Sequence, residues 1–239
     1  MKNIRGYFWH KHFNFLYRLY LLYYKHKIFF PKKSYSMLGE DLFIQKYFRN
    51  ISKGVYVDVG AYHPYFWSNT HLLFKNKWKG INIDINPVSI ELFKYTRPND
   101  SNINVAISNS NKKFIKYYTK NIINTMTTTN KYAAQTSYLK GYDVRKIKCQ
   151  KLNYIISKSK FKNQKINFLN IDAEKSDLDV LKSLNFNKYK PDLICVEIHH
   201  RGSSFKNEKK LKSHPVYVFL RSKKYKIIWR KEYSFIFSF

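Results

Sequence analysis

Two strand-like runs of the sequence each end in a residue suited to binding a nucleoside. The run Val55 to Val59, which contains Asp58, is rich in β-branched residues and ends at Gly60. A glycine at the carboxyl end of a buried strand lets the backbone approach a ligand at the switch point of a doubly wound sheet. Asp84 ends the next run, 24 residues after Gly60, where a carboxylate can accept both hydroxyls of an adenosine ribose. The alternative for Asp84 is a cap for the helix after Asn86.

The residues after Gly60 narrow the kind of nucleoside. A nicotinamide enzyme is expected to show G-x-G-x-x-G, because a pyrophosphate needs close backbone amides at a helix N-terminus. Here Gly60 is followed by Ala61, Tyr62, His63 and Pro64. The missing glycines disfavour a pyrophosphate, and with it an oxidoreductase. They leave room for a nucleoside that carries methionine.

Acidic and histidine side chains follow two later strand-like runs. Asp172 and Glu174 come after one of them, and His199 and His200 come after the other. A carboxylate or an imidazole at such an edge could orient or deprotonate a hydroxyl group of a substrate. The alternatives are that the two acids cap a helix or organise a loop, and that the histidines are surface residues. These residues do not show the sequence spacing that is typical of metal ligands, so no metal site is predicted.

The elements that must position these residues alternate between strands and helices, which predicts an α/β fold. Strands are expected at Val55–Val59, Ile81–Ile85, Asn104–Ser108, Phe114–Tyr118, Ile147–Cys149, Ile166–Ile171, Leu193–Ile198, Tyr225–Trp229 and Ser234–Phe239. Helices are expected from about Glu40, after a cap at Ser68, from Pro87, from about Leu152, over Leu178–Leu184 and after Pro215. The last two strands form a hairpin-like pair.

From about Ser36 to Phe239 the sequence resembles the FkbM-type methyltransferase family. The matching pieces, in order, are Gly39-Glu40-Asp41, Val57-Asp58-Val59-Gly60-Ala61 with Pro64, Ser68-Asn69-Thr70, Gly80-Ile81-Asn82-Ile83-Asp84 with Asn86-Pro87, Arg97-Pro98 with Asp100, Asn104-Val105-Ala106-Ile107-Ser108, Asn167 to Glu174, and Val196-Glu197. The resemblance implies a class I methyltransferase fold, a Rossmann-like doubly wound sheet of about seven strands with the last strand antiparallel. It also implies S-adenosylmethionine as cofactor and a hydroxyl of a small molecule or glycan as acceptor.

The resemblance also assigns roles to residues. The residues expected at the cofactor are Glu40, Asp41, Asp58, Gly60, Ala61, Ser68, Asn69, Asp84, Ala106 and Ile107. Among them, Asp58 and Gly60 would line the methionine end, Asp84 the ribose, and Ala106 and Ile107 the adenine face. Asp172, Glu174 and His199 are the candidate catalytic residues. Two positions depart from the family: Lys175 stands where members commonly have Gly, and Asn153 where they commonly have Asp.

Length and charge bound the remaining expectations. The 239 residues suit one methyltransferase domain at 37–239, preceded by a basic, aromatic N-terminal extension at 1–36 that is helical or peripheral. A net charge of +30 is typical of proteins that bind polyanions. However, Lys is abundant together with Asn, Ile, Tyr and Phe, whose codons are AT-rich, so base composition is an alternative cause. The rival functions are an RNA methyltransferase and a non-catalytic module that binds a membrane surface.

The cysteines and the apolar segments bear on location. Cys149 and Cys195 lie in apolar runs, which is typical of buried thiols in a reducing compartment. The apolar run from Phe13 to Tyr24 contains Arg18 and is too short for a membrane span. The sequence therefore predicts a cytoplasmic protein, with a peripheral contact between the segment 13–33 and an anionic membrane as a further expectation. It does not indicate the oligomeric state.

Overall fold

The computed structural model describes residues 14–120, 127–136, 141–199 and 208–239. His200, one of the two candidate histidines, and Phe13, at the start of the apolar run, lie outside them. The strands are β1 Val55–Val59, β2 Lys79–Asp84, β3 Ser101–Asn104, β4 Ala106–Ile107, β5 Phe114–Thr119, β6 Asp143–Gln150, β7 Phe168–Ile171, β8 Leu193–Glu197, β9 Lys226–Lys231 and β10 Ser234–Ser238. The helices are α1 Asn14–Leu19, α2 Glu40–Tyr47, α3 His71–Lys75, α4 Pro87–Thr96, α5 Lys131–Thr136, α6 Leu152–Lys158, α7 Asp177–Lys182, α8 Glu208–Lys212 and α9 Pro215–Ser222.

A seven-stranded sheet in the order β3-β2-β1-β7-β8-β10-β9 organises the molecule. Strands β3, β2, β1, β7 and β8 are parallel to one another. Strand β10 is antiparallel to both β8 and β9. The expected doubly wound sheet of seven strands with an antiparallel last strand is therefore confirmed. The strand order reverses between β1 and β7, which is the switch point where such sheets bind ligands.

The two faces of this sheet carry different parts of the core. Along β1, Val55, Val57 and Val59 point to one face, where residues of α6, α7 and α9 pack against them. Tyr56 points to the opposite face, where the core includes Ile44 of α2. This alternation follows from the two-residue period of a strand, and the continuous burial of β1 is typical of a parallel strand covered on both faces. Asp58 therefore lies on the same face as Tyr56 and is buried there.

A second sheet lies outside the first and corrects one prediction. The single strand expected over Asn104–Ser108 is wrong: β3 ends at Asn104, and β4 begins at Ala106 in a separate three-stranded sheet of order β4-β6-β5. Strand β6 is also longer than the predicted run at Ile147–Cys149, because it pairs with β5 from Asp143 onwards. Backbone pairing with β6, far along the chain, decides where β4 lies. The local apolar pattern does not encode that pairing.

The described part of the N-terminal extension packs against the sheet domain. Helix α1 continues into a π-helical turn at Tyr20–Tyr24. Leu21 and Leu22 of this turn are buried against Val88 and Leu92 of α4. Across the described ranges, no helix combines the length and apolarity needed to cross a membrane. The domain boundary at residue 36 stays a prediction.

Candidate active site

A cavity of about 1110 Å³ opens at the carboxyl ends of β1, β2, β7 and β8. Ten of the predicted site residues line it: Glu40, Asp58, Gly60, Ala61, Asn69, Asp84, Ile107, Asp172, Glu174 and His199. We call the wall formed by Asp58, Gly60, Asp84 and Ile107 the β1/β2 half, and the wall formed by Asp172, Glu174, Asp177, Glu197 and His199 the β7/β8 half. Parallel strands end at the same sheet edge, which explains why residues so far apart in sequence meet here.

Asp84 is held by backbone amides at the end of β2. Its Oδ1 accepts a hydrogen bond from Asn86 N at 2.6 Å, and its Oδ2 accepts one from Tyr62 N at 2.8 Å. Burial raises the pKa of Asp84 to about 6, against the opposing effect of these two hydrogen bonds. A carboxylate has about four acceptor positions. Asp84 therefore remains able to accept hydrogen bonds from a ligand in the cavity.

Asp58 is fixed by two side chains on neighbouring elements. It accepts hydrogen bonds from Thr70 Oγ1 at 2.8 Å and from Asn170 Nδ2 at 2.9 Å. Asn170 in turn accepts one from Asn69 Nδ2 at 2.9 Å. Burial raises the pKa of Asp58, while the bonds from Asn170 and Thr70 act in the opposite direction. These contacts hold the carboxylate of Asp58 in one position.

Gly60 lies where the two halves of the cavity meet. Its φ is +79°, and a Cβ built on it would lie 1.8 Å from the carbonyl oxygen of Asp172. The sequence predicts that this glycine lets a ligand approach the backbone. The structure gives a nearer reason, which is the close contact between the end of β1 and the backbone that follows β7. No other residue type fits there without displacing Asp172.

A buried arginine, to which sequence reasoning gave no role, supports the β1/β2 half. Arg97 is 1% exposed. Its Nη1 donates to Tyr56 Oη and to Thr70 Oγ1, both at 2.9 Å, and its Nη2 donates to Pro64 O at 2.6 Å. Thr70 Oγ1 in turn donates a hydrogen bond to Asp58, so Arg97 is connected to Asp58 through Thr70. The Arg97-Pro98 pair was a visible signal, but the partners of Arg97 are separated from it by 27 to 41 residues.

Ser68 is turned inward towards the same arginine. Its Oγ lies 3.3 Å from Thr70 Oγ1 and 3.4 Å from Arg97 Nη2. Helix α3 begins only at His71, with Thr70 at its N-cap position and no side-chain cap. The predicted helix cap at Ser68 is therefore wrong. Ser68 does not line the cavity, so its contact with the cofactor stays a prediction without direct geometric support.

Two other predicted cofactor residues also lie off the cavity wall. Asp41 accepts hydrogen bonds from Ser34 Oγ at 2.6 Å, Tyr35 N at 2.6 Å and Ser36 Oγ at 2.8 Å, so its carboxylate fastens the segment before α2. Ala106 is fully buried in the apolar cluster of the second sheet. Both can support the cavity only through their neighbours.

Carboxyl groups crowd together in the β7/β8 half. Burial is the main cause that raises the pKa of Asp172 well above its ordinary value, that of Glu174 to about 7 and that of Asp177 to about 6, with Glu197 adding to each shift. Asp177 accepts a hydrogen bond from Ala173 N at 2.8 Å. Within the described ranges, the carboxyls of Asp172 and Glu174 have no hydrogen-bond partner. Glu174 can therefore exchange a proton close to neutral pH, and Asp172 keeps its proton to a higher pH than an ordinary aspartate does.

Glu197 and His199 form a pair at the end of β8. His199 Nε2 lies 2.7 Å from Glu197 Oε2, and the imidazole stacks on Tyr233 with ring centroids 5.0 Å apart. The hydrogen bond to Glu197 raises the pKa of His199 above 6.5 despite partial burial. Glu197 was absent from the predicted site residues. Its position at the end of the predicted strand Leu193–Ile198, two residues before His199, was the signal that could have found it.

The loop after β7 has a strained backbone, and hydrogen bonds from Thr128 and Thr129 hold it in place. Glu174 and Lys175 have φ values of +47° and +69°. Thr128 Oγ1 donates to Glu174 O at 2.8 Å, and Thr129 Oγ1 lies 2.9 Å from Ser176 Oγ. The resemblance described above leads one to expect Gly at position 175, and the φ of Lys175 is one that Gly adopts without strain. The departure therefore changes the side chain at this point without requiring another backbone conformation.

The charge of the cavity is opposite to that of the chain. Seven of the fifteen acidic residues line it: Glu40, Asp58, Asp84, Asp172, Glu174, Asp177 and Glu197. The net charge of the whole chain is +30. Among the described residues, no three His, Cys, Asp or Glu side chains converge in a way that could hold a metal ion. The cavity is thus suited to a cationic or hydroxyl-rich ligand and disfavours a phosphate.

Comparison with known families agrees with this architecture. A family model described as the methyltransferase FkbM domain matches residues 58–227, from Asp58 in β1 to Ile227 in β9. A search of curated proteins gave no match. The matched range contains the switch point and both halves of the cavity. Because the match extends over more than half of the sequence, the chain belongs to the FkbM methyltransferase family.

Proposed function

We propose that the chain is an S-adenosylmethionine-dependent methyltransferase that methylates a hydroxyl group of a small molecule or glycan. One observation carries the proposal. A single acidic cavity places Asp84, whose oxygens can still accept hydrogen bonds, opposite the Glu197–His199 pair. A methyl donor and an acceptor hydroxyl must meet in one such space, because transfer requires an in-line approach of the reacting atoms.

The β1/β2 half fits the donor. Asp84 would accept hydrogen bonds from the ribose hydroxyls, and the apolar side chain of Ile107 would lie against the adenine. Asp58 and Glu40 supply negative charge at the methionine end. When bound, S-adenosylmethionine supplies a methyl group on a positively charged sulfur. The residues around it have to hold that group in line and keep water out.

The β7/β8 half fits the acceptor. With Nε2 of His199 donating to Glu197, its Nδ1 is left to take the proton of the acceptor hydroxyl. When the acceptor oxygen took the methyl group from sulfur, His199 would hold the proton that the hydroxyl releases, at Nδ1. Glu197 stabilises the resulting imidazolium. Asp172 or Glu174 would orient the acceptor by hydrogen bonds to its hydroxyl groups.

The charge distribution favours this acceptor over RNA. Acidic groups surround the position where the acceptor hydroxyl would lie, and phosphates of a nucleic acid would be repelled there. Among the described residues, Lys175 is the only lysine or arginine that lines the cavity. A neutral, hydroxyl-rich molecule can enter the cavity without this electrostatic repulsion.

Calorimetric titration of the purified chain with S-adenosylmethionine and S-adenosylhomocysteine tests the donor half. We expect the wild type to bind both of these compounds and to show no binding of NAD. Asp84→Asn should weaken binding about tenfold to a hundredfold, because it removes charged acceptors of hydrogen bonds. Asp192→Asn is the matched control, because Asp192 precedes β8 at the opposite sheet edge, where it pairs with Lys165 at 2.6 Å. A folded wild type that binds neither sulfur nucleoside contradicts the proposal.

Nuclear magnetic resonance of the histidine ring tests the acceptor half without knowledge of the substrate. The pKa of His199 should fall in Glu197→Gln, because the carboxylate that stabilises the imidazolium is lost. The His199→Gln variant assigns the signal. An unchanged His199 pKa in Glu197→Gln would show that the pair does not set the proton affinity of the ring.

A further inference from the structure

An exposed aromatic surface lies on the N-terminal segment, away from the cavity. Its members are Phe15, Leu16, Tyr20, Tyr24, Phe29 and Phe30, which we call the N-terminal aromatic surface. Phe30 is 81% exposed and Tyr24 is 67% exposed. Tyr24 connects two of the others, because its ring centroid lies 5.9 Å from that of Tyr20 and 5.8 Å from that of Phe29. Contiguous apolar exposure of this kind marks an interaction site.

The opposite side of the same segment is fixed to the domain. Leu21 and Leu22 are buried, and Arg18 Nη2 lies 3.4 Å from Glu91 Oε2. The ring of His26 stacks on Phe66 with centroids 3.9 Å apart. The segment is therefore docked through one face while its aromatic face stays in solvent. This arrangement presents the aromatic residues outward on a supported backbone.

The charge of the segment defines the partner. The first 39 residues contain eight Lys or Arg and no Asp or Glu. Lys25, Lys27, Lys32 and Lys33 are exposed on either side of Phe29 and Phe30. Aromatic residues flanked by lysines match an anionic lipid surface, where the rings enter the headgroup region and the lysines contact phosphates. A second copy of the chain fits less well, because seven of its fifteen acids line the cavity.

We propose that the N-terminal aromatic surface binds the surface of an anionic phospholipid bilayer. Phe29 and Phe30 insert between headgroups, and the four exposed lysines pair with lipid phosphates. Each lysine near the surface contributes about fivefold to the affinity. The binding is peripheral and falls as salt is added. It does not depend on the methyl transfer proposed above.

Vesicle flotation of the full chain tests the proposal. We expect binding to vesicles of phosphatidylcholine mixed with phosphatidylglycerol, and little binding to phosphatidylcholine alone. Phe29→Ser combined with Phe30→Ser should weaken binding at least about tenfold, because the apolar contribution is lost. Lys32→Glu combined with Lys33→Glu should weaken it at least about tenfold and flatten its salt dependence. All four positions are exposed, so the variants should keep the unfolding temperature of the wild type.

Matched substitutions on α6 and in the turn that follows it provide the control. Tyr154, Lys158 and Lys160 are exposed and lie outside the N-terminal segment. Tyr154→Ser, and Lys158→Glu combined with Lys160→Glu, should leave vesicle binding within about twofold of the wild type. Equal binding to neutral and anionic vesicles overturns the proposal. So does retention of single-stranded RNA that the N-terminal lysine variant abolishes while vesicle binding stays intact, or self-association that the phenylalanine variant abolishes without a change in vesicle binding.

Discussion

The two halves of the cavity differ in the hydrogen bonds that their carboxylates accept. In the β1/β2 half, Asp58 and Asp84 each accept two hydrogen bonds from the protein. In the β7/β8 half, Asp172 and Glu174 accept none from the described residues. Burial raises the pKa on both sides, but only the first pair is held in position. A fixed carboxylate suits the binding of a ligand, and an unpartnered one suits proton exchange.

The largest effect is expected where the halves touch. Gly60→Ala should lower the free energy of unfolding by about 4 kcal/mol, because a Cβ would collide with the Asp172 carbonyl and φ is positive. Gly141→Ala is the control, since Gly141 has a φ of +77° but no atom within 4 Å of its Cβ position. Urea unfolding should show that Gly141→Ala lowers the free energy of unfolding by only about 1 kcal/mol. Equal losses would show that the contact between the halves is not rigid.

The support of the β1/β2 half should be the next most sensitive feature. Arg97→Lys should cost about 3 kcal/mol of unfolding free energy, because an ammonium group cannot replace the planar fork that reaches Tyr56, Thr70 and Pro64. Arg221→Lys, at an exposed arginine, should stay within about 0.5 kcal/mol of the wild type. If urea unfolding gave the same small loss for both, the network would not hold this half in place.

The β7/β8 half should respond to pH. The pKa of Glu174 is about 7 in the folded protein and 4.5 ordinarily, so folding takes up protons between these values. Its contribution to stability is therefore lost as pH rises from about 4.5 to about 7. Glu174→Gln should be about 1–2 kcal/mol more stable than the wild type at pH 8 and equal to it at pH 4.

Urea unfolding at both pH values measures the response. Glu208→Gln serves as control because the Glu208 side chain is exposed, and it should change stability at neither pH. A stability difference at Glu174 that does not depend on pH would mean that this carboxyl has the same pKa in the folded and the unfolded protein.

The smallest effect is expected at the departure from the family pattern. Lys175→Gly should stabilise the protein by at most about 1 kcal/mol, because φ is +69° and Gly removes the strain. Lys224 has the same φ in the turn before β9, so Lys224→Gly should give a similar gain. A loss at Lys175 alone would indicate that its ammonium contact with the Tyr132 ring, 5.9 Å from the centroid, outweighs the strain.

Local patterns were sufficient to predict the β1/β2 half. Asn86 accepts a hydrogen bond from Val88 N at 3.0 Å, and Pro87 begins α4, so the turn after Asp84 follows from adjacent residues. The same holds for the runs that form β1 and β2. The switch point then follows from strand alternation together with the family resemblance.

Non-local contacts limited the rest of the prediction. The partners of Arg97 and the inward turn of Ser68 depend on packing between distant segments, so neither is encoded in a nearby pattern. The break between β3 and β4 depends on pairing with β6. The proton affinities of Asp172 and Glu174 depend on how closely separate strands bring like charges together. Sequence spacing alone carries none of this information.

The position of β10 determines when this sheet can be completed during synthesis. Strand β10 lies between β8 and β9, yet the ribosome makes it after every other strand of the sheet. Until then, β8 presents an open edge of unpaired amides and carbonyls next to the residues that will form the β7/β8 half. The acidic wall of the cavity is therefore the last part of the nascent chain to acquire its final support. Before β10 is made, the open edge of β8 is most accessible to pairing with another chain.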